Sequence, residues 1–214
     1  MRGSTARALA LITAAVLAPA ACDAAVGCTL NDPDRDIMRI FPEADSYVTE
    51  FISIEERGGL ELAMVIEADL GDTLEPRYES LDVPYAYYTV KSGGELVGHV
   101  HGVNQKGMFG GMQLILATDT DGKILDFYYQ KLSSPEAKAF RADTFTDQFV
   151  GLTLADFLAG PEPPKVESIE DPSEQSADDF AATLRGLRKN LLLLREFMLA
   201  TSGAESAPEE EKDD

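Results

Sequence analysis

Four strand-like segments follow one another between residues 85 and 131, and their connections are too short to hold a crossover. YAYYTVK is rich in Tyr and Val, SGG turns the chain, and ELVGHVHGV alternates. NQKGMFGG is a glycine-rich connection, after which MQLILATD places Met112, Leu114 and Leu116 on one face. Asp119–Gly122 is a strong hairpin turn, because an Asp-Gly pair supplies positive-φ positions, and KILDFYYQKL returns. Parallel neighbours need connections of about a dozen residues or more, so these strands are antiparallel. Whatever else the chain does, it wraps around this sheet.

The flanks supply helices. Residues 29–34 are turn formers and read as a linker, with a short helix ending before Phe41. The alternation of SYVTEFISIE over 46–55 predicts a strand, broken at Gly58 and Gly59. LELAMVIEADL predicts a helix stopped by Gly71, and the acidic, proline-bearing stretch 72–84 predicts a loop. LSSPEAKAF predicts a helix with Ser133 or Ser134 as N-cap and Pro135 at its first position. Residues 160–175 form a connector. The last helix is the clearest, with Phe180, Leu184, Leu187, Leu191, Leu194 and Met198 in one stripe. Ser176 and Asp179 have capping-box spacing at its start, and Gly203 ends it. The expected class is α+β: a twisted antiparallel sheet with flanking helices and a long C-terminal helix. The expected division is a signal peptide over 1–28, a linker and short helix over 29–45, one domain over 46–201 and a disordered acidic tail over 202–214.

Charge narrows the partners. Eighteen Lys and Arg against thirty-eight Asp and Glu leave a formal net charge of −20, which phosphate backbones and anionic membrane patches repel. Two cysteines build neither a disulfide framework nor a four-cysteine zinc site, and no C-x-x-C-H exists for covalent haem. Arg2 and Arg7 are the only charges before Asp23, and the apolar run between Arg7 and Cys22 is too short for an easy transmembrane helix. This pattern predicts a secretory signal, hence export to the periplasm or cell surface. Cys22 and Cys28 lie at its edge. Either is placed to carry the lipid of a bacterial lipoprotein; ordinary cleavage leaving free thiols or a short-loop disulfide is the alternative.

Motifs for chemistry are sparse. There is no G-x-x-x-x-G-K-[ST], G-x-G-x-x-G or G-x-S-x-G, and no acid–base or nucleophile constellation. His99 and His101 are the only histidines and share a strand face, which suits two metal ligands or two structural side chains. Three glycines surround Phe109 between Gly107 and Met112, allowing close backbone approach to a ligand or a strand-entry bulge. Arg185, Arg188 and Lys189 cluster on the last helix, to hold a phosphate or to pair with acidic neighbours on a solvated face.

From about residue 85 the chain resembles the FMN-binding domain of the flavin subunits of the Rnf complex and the sodium-pumping quinone reductase. Gly107-Met-Phe-Gly-Gly running into MQLILATDTDGKI is similar to the family's G-Y-G-G core. LSSPEAKAFRADTFTDQFVGL is similar to its H-x-E-T-P-G-L-G and F-x-x-Q-F-x-G stretches. FAATLRGLRKNL stands where the family has S-G-A-T, and FPEADSYVTEF resembles its lead-in strand. The resemblance implies an FMN-binding electron-transfer protein at the membrane surface, served by a redox partner protein or a membrane electron-transport complex. It puts Thr183 at the family's flavin-accepting threonine, with Arg185 and Lys189 as a non-covalent phosphate site. Phe109, Gly110 and Met112 are the implied ring contacts and Ser134 a hydrogen-bond partner. This sequence departs from the family at Phe180-Ala181, at Arg185-Gly186 and at Glu136. A flavin-free extracytoplasmic assembly or binding module on the same fold is the other expectation.

Overall fold

A computed structural model describes residues 28–199. Its elements run α1 (Pro33–Ile40), β1 (Ser46–Ile52), α2 (Ile54–Arg57), α3 (Gly59–Leu70), β2 (Tyr85–Ser92), β3 (Glu95–Gly107), β4 (Gly110–Thr118), β5 (Ile124–Lys131), α4 (Ala137–Phe140), α5 (Asp143–Thr146) and α6 (Ala177–Leu194). A π-helical turn over Arg195–Leu199 continues α6. The five strands form one antiparallel sheet in the order β1-β2-β3-β4-β5, so each strand pairs with its neighbour in sequence. The class is α+β, as expected.

The pleat sorts side chains between two cores. Register sets Tyr87 opposite His101, and His101 opposite Leu116, which faces Phe127 in turn. These side chains and their i±2 neighbours point toward α6 and α3, in a core with Ile66, Leu187, Leu191 and a run of phenylalanines from 140 to 157. The opposite face carries Ala86, Tyr88, Val100 and Ile115, covered by Cys28, Leu30, Ile37 and Phe41. The stretch expected as a linker is therefore half of a core. Leu30 N–H donates to Tyr88 Oη at 3.1 Å, and Gln130 bonds Asn31 and Thr29 backbone atoms. Room for this layer comes from Gly102: a Cβ there would stand 2.7 Å from Ile115 Cδ1 and 2.8 Å from Cys28 Sγ.

Several local readings are corrected. The first strand stops at Ile52, because Ser53 caps α2 in a reciprocal box with Glu56. The glycine-rich connection is mostly strand: Asn104–Gly107 belong to β3, Gly110 begins β4, and only Met108 and Phe109 turn. The helix expected at Ser133 begins at Ala137 and lasts four residues, with neither serine as its N-cap. Ser176 caps α6 only by position; the Asp179 carboxylate instead accepts the Met108 N–H at 2.7 Å. The signal segment, Cys22, Gly203 and the acidic tail lie outside the described residues.

Candidate functional site

The long helix carries a second buried face besides its leucine stripe. Asp179, Thr183, Gly186, Lys189 and Asn190 are all buried, a polar row at helical spacing facing the sheet. Gly186 makes the close approach to the sheet: a Cβ there would overlap Leu114 Cδ1 and sit 3.4 Å from Gln105 Cγ. Helix and sheet meet so closely that every polar group on this face must find its partner inside the protein.

Lys189 and Arg185 find theirs in the loop between α3 and β2. Lys189 is fully buried and donates to Glu79 Oε1 and to the Asn104 carbonyl. Arg185 uses all five of its N–H donors: Nε on Asp72 at 2.8 Å, Nη1 on Glu79 and Gln105 at 2.8 Å each, and Nη2 on the Thr73 carbonyl at 2.8 Å and on Glu79 at 3.1 Å. Burial alone would raise the Glu79 carboxyl. Hydrogen bonds from Arg185 and the charge of Lys189 more than offset this and hold it below the ordinary range. Burial pushes the Lys189 ammonium down to about 8, against the pull of Glu79. Neither expected role for the basic cluster holds unchanged: it pairs with acidic neighbours, but around a buried carboxylate and not on a solvated face.

The other expected site residues gather at the start of α6 and the tip of the β3–β4 hairpin. A Cβ on Gly110 would stand 3.7 Å from Ser133 Cβ, next to Ser134. Asp179 ties the hairpin to α6 through Met108, and Thr183 lies one turn further along. Thr183 has no exposed surface; its hydroxyl donates to the Asp179 carbonyl at 2.8 Å and accepts from Tyr129 Oη at 2.8 Å. Met112 is buried in the core, whereas Phe109 is 48% exposed at the turn. Glu136 takes the backbone N–H groups of Glu174 and Gln175 at 2.8 and 3.0 Å, just ahead of α6. The structure thus brings Gly110, Ser134 and Thr183 to one end of α6, and Arg185 and Lys189 to a separate cluster further along it.

Tested against FMN, these residues do not fit. A phosphoester at Thr183 needs a hydroxyl that solvent reaches, and this one is enclosed and hydrogen-bonded twice. A phosphate at Arg185 and Lys189 would have to displace Glu79, Asp72 and Gln105. The two positions where an anion would be welcome, the basic pair and the amides preceding α6, hold Glu79 and Glu136.

The histidine pair is also enclosed. His101 Nδ1 donates to Asn190 Oδ1 at 2.7 Å, Asn190 Nδ2 donates back to the His101 carbonyl at 3.2 Å, and the ring stacks on Tyr87 at 4.1 Å. Burial drives His101 down to about 3 and lowers His99, so both are neutral near pH 7. Among the described residues no group of three His, Cys, Asp or Glu is placed to hold a metal ion. Cys28 is 1% exposed, its sulfur against Gly102 and Ile115, and burial pushes its thiol up to about 12. A thiol packed in the core is not placed to carry a lipid, and Cys22 lies outside the described residues. Among the described residues no helix is long and apolar enough to cross a membrane.

Sequence reasoning missed Glu79, Asn190, Gln105 and the tie between Asp179 and Met108. The sequence carried no local signal for them: Lys189 stands off the leucine stripe, on the polar row with Thr183 and Asn190. Comparison with known proteins adds no family: no family model matches the chain, and no curated protein matches it.

Proposed function

We propose that this chain is a flavin-free binding or assembly module, exported and anchored or released outside the cytoplasm, on the fold that the FMN-binding resemblance implies. The observation that carries this is the Glu79 carboxylate lodged between Arg185 and Lys189. It supplies internally the negative charge that a ligand phosphate would bring. The enclosed Thr183 hydroxyl points the same way. Export rests on the N-terminal sequence alone: two arginines, an apolar run and small residues at its exit.

The test is the visible absorbance of mature protein purified from its native host, which supplies any flavin transferase. Added FMN is then offered and the protein desalted. The expected protein is colourless and retains no FMN. Flavin that stays with an acid-precipitated pellet and disappears in Thr183→Ala would establish covalent attachment and overturn the proposal. Flavin released into the supernatant would overturn it in favour of a non-covalent electron carrier.

A further inference from the structure

Helix α3 is apolar on two faces. Ala63, Ile66 and Leu70 are buried against the core, while Leu60, Met64 and Val65 point outward with 74%, 68% and 49% of their surface exposed. A helix that is apolar on both sides is ordinarily covered on both. Beside the outer face runs a groove of about 300 Å3 between α3 and the loop that carries Glu79, lined by Leu60, Met64, Leu74 and Leu81 together with the carboxylates of Glu67 and Glu79.

That loop forms a fixed wall. Glu79 is held by Arg185 and Lys189, the Thr73 carbonyl by Arg185, the Leu74 N–H by Glu67 at 2.8 Å, and the Leu81 carbonyl by the Glu55 N–H at 2.8 Å. A groove pinned at its ends and middle is preformed, which lowers the ordering cost of filling it. Its surroundings are acidic: residues 54–82 hold nine carboxylates and two arginines. Arg185 and Lys189 neutralise Glu79, Arg185 reaches Asp72, and Arg195 pairs with Asp69 at 2.7 Å. Lys106 stands 4.0 Å from Glu75, while Glu67 lines the groove itself and Glu61 stands exposed one turn before Met64 on the same helix. An acidic segment or an anionic lipid surface is repelled here; an apolar segment with basic flanks is attracted.

We infer that the groove between α3 and the 72–84 loop docks an apolar protein segment flanked by Lys or Arg, presented by a partner protein. This names the partner chemistry of the module proposed above and rests on that reading.

The probe is a dye-labelled synthetic amphipathic peptide of Leu and Lys, titrated with the full mature chain at physiological salt and read by fluorescence anisotropy. Saturable binding is expected, weakened about tenfold or more by Leu60→Ser with Met64→Ser, since exposed anchor residues carry most of such an interface. Far-UV circular dichroism and the urea midpoint verify that this double variant folds. Met38→Ser with Val48→Ser, which changes exposed apolar residues elsewhere, leaves affinity unchanged, and a Leu/Glu peptide does not bind. Equal affinity in both double variants would mean unspecific charge attraction and overturn the inference. So would absence of peptide binding, whether or not phosphatidylcholine vesicles or a second copy of the chain take the surface in a Leu60- and Met64-dependent way. FMN retention is measured on the same samples. Retained flavin defeats the flavin-free reading, and a colourless protein that ignores the peptide defeats the groove alone.

Discussion

Replacing Glu79 by Gln keeps the shape of the side chain and removes the charge at the centre of the buried cluster. The carboxylate accepts from Arg185 through both oxygens, from Lys189, and from the Glu75 N–H at 2.6 Å. Glutamine leaves Lys189 without its anion where water does not reach, and leaves Arg185 only Asp72. Breaking a buried pair in this way costs about 3–5 kcal/mol. Lys189→Met removes the buried cation and leaves Glu79 its paired bonds from Arg185, so its cost is about 2 kcal/mol or less. The double variant then loses little more than Glu79→Gln alone, because methionine has no charge left to strand. Urea unfolding at pH 7, with midpoints and slopes for all four proteins, gives the coupling, expected at about 1–2 kcal/mol. Effects that add within about 0.5 kcal/mol would refute the cluster as described. The pH dependence gives a second reading. Burial holds Lys189 at about 8 where an ordinary lysine sits at 10.5, so between those values the unfolded chain binds the extra proton. Wild-type stability therefore climbs across that interval on account of Lys189, by roughly 3 kcal/mol in all. Cys28, raised to about 12, and the raised buried tyrosines pull the other way at higher pH. The climb is accordingly read from pH 8 to 9, as the difference from Lys189→Met. In Glu79→Gln it starts at lower pH, because the group that props up the ammonium is gone.

Three further outcomes are expected. Gly186→Ala destabilises by about 1–2 kcal/mol, because overlap with Leu114 outweighs the alanine helix preference, and Leu114→Val restores part of the loss; a stabilised alanine variant would contradict the helix–sheet spacing. With His101 depressed to about 3 by burial, the unfolded chain binds the extra proton below 6.5, so stability falls as pH drops. Between pH 6.5 and 4.5 the fall on this account is roughly 2–3 kcal/mol and is absent in His101→Leu; identical curves for the two proteins would count against the buried neutral ring. In a Cys22→Ser background the Cys28 thiol reacts with a disulfide reagent at pH 8 only as fast as the protein opens, and rapid labelling of native protein would contradict its place in the core.

The sheet was legible because its determinants are local. Tyr- and Val-rich alternation, the Gly93-Gly94 turn and the Asp119–Gly122 turn each act within a few residues, and all four strands from 85 to 131 stand in the structure. Boundaries failed where a distant partner decided them. Asp179 has capping-box spacing from Ser176, yet it serves Met108, seventy-one positions away in the chain. Leu30 looked like a linker residue and Cys28 like the end of a signal segment, because the sheet face that buries them is invisible from the residues beside them. The site failed for the same reason. Arg185 and Lys189 were recognisable as a cluster, but nothing within residues 72–84 separates Glu79 from the carboxylates around it. Only the fold sets Glu79 beside Lys189 across 110 positions.

The neighbour-to-neighbour strand order has a kinetic side. Each hairpin closes a short stretch of chain, at small entropic cost, so the sheet assembles from contacts available early. Helix α6 is bound by contacts of another kind: Glu79 with Lys189 spans 110 positions and His101 with Asn190 spans 89. Its polar face gains nothing until it reaches β3 and the Glu79 loop together. The rate-limiting barrier is then crossed with the β3–β4 hairpin formed and α6 undocked. Substitutions at Leu187 and Leu191 should speed unfolding and leave folding rates alone, whereas those around Gly107 and Gly110 slow folding. A slowed folding limb in the Leu187 or Leu191 variants would reverse that order. On this ordering the ionic cluster locks the finished fold and takes no part in starting it.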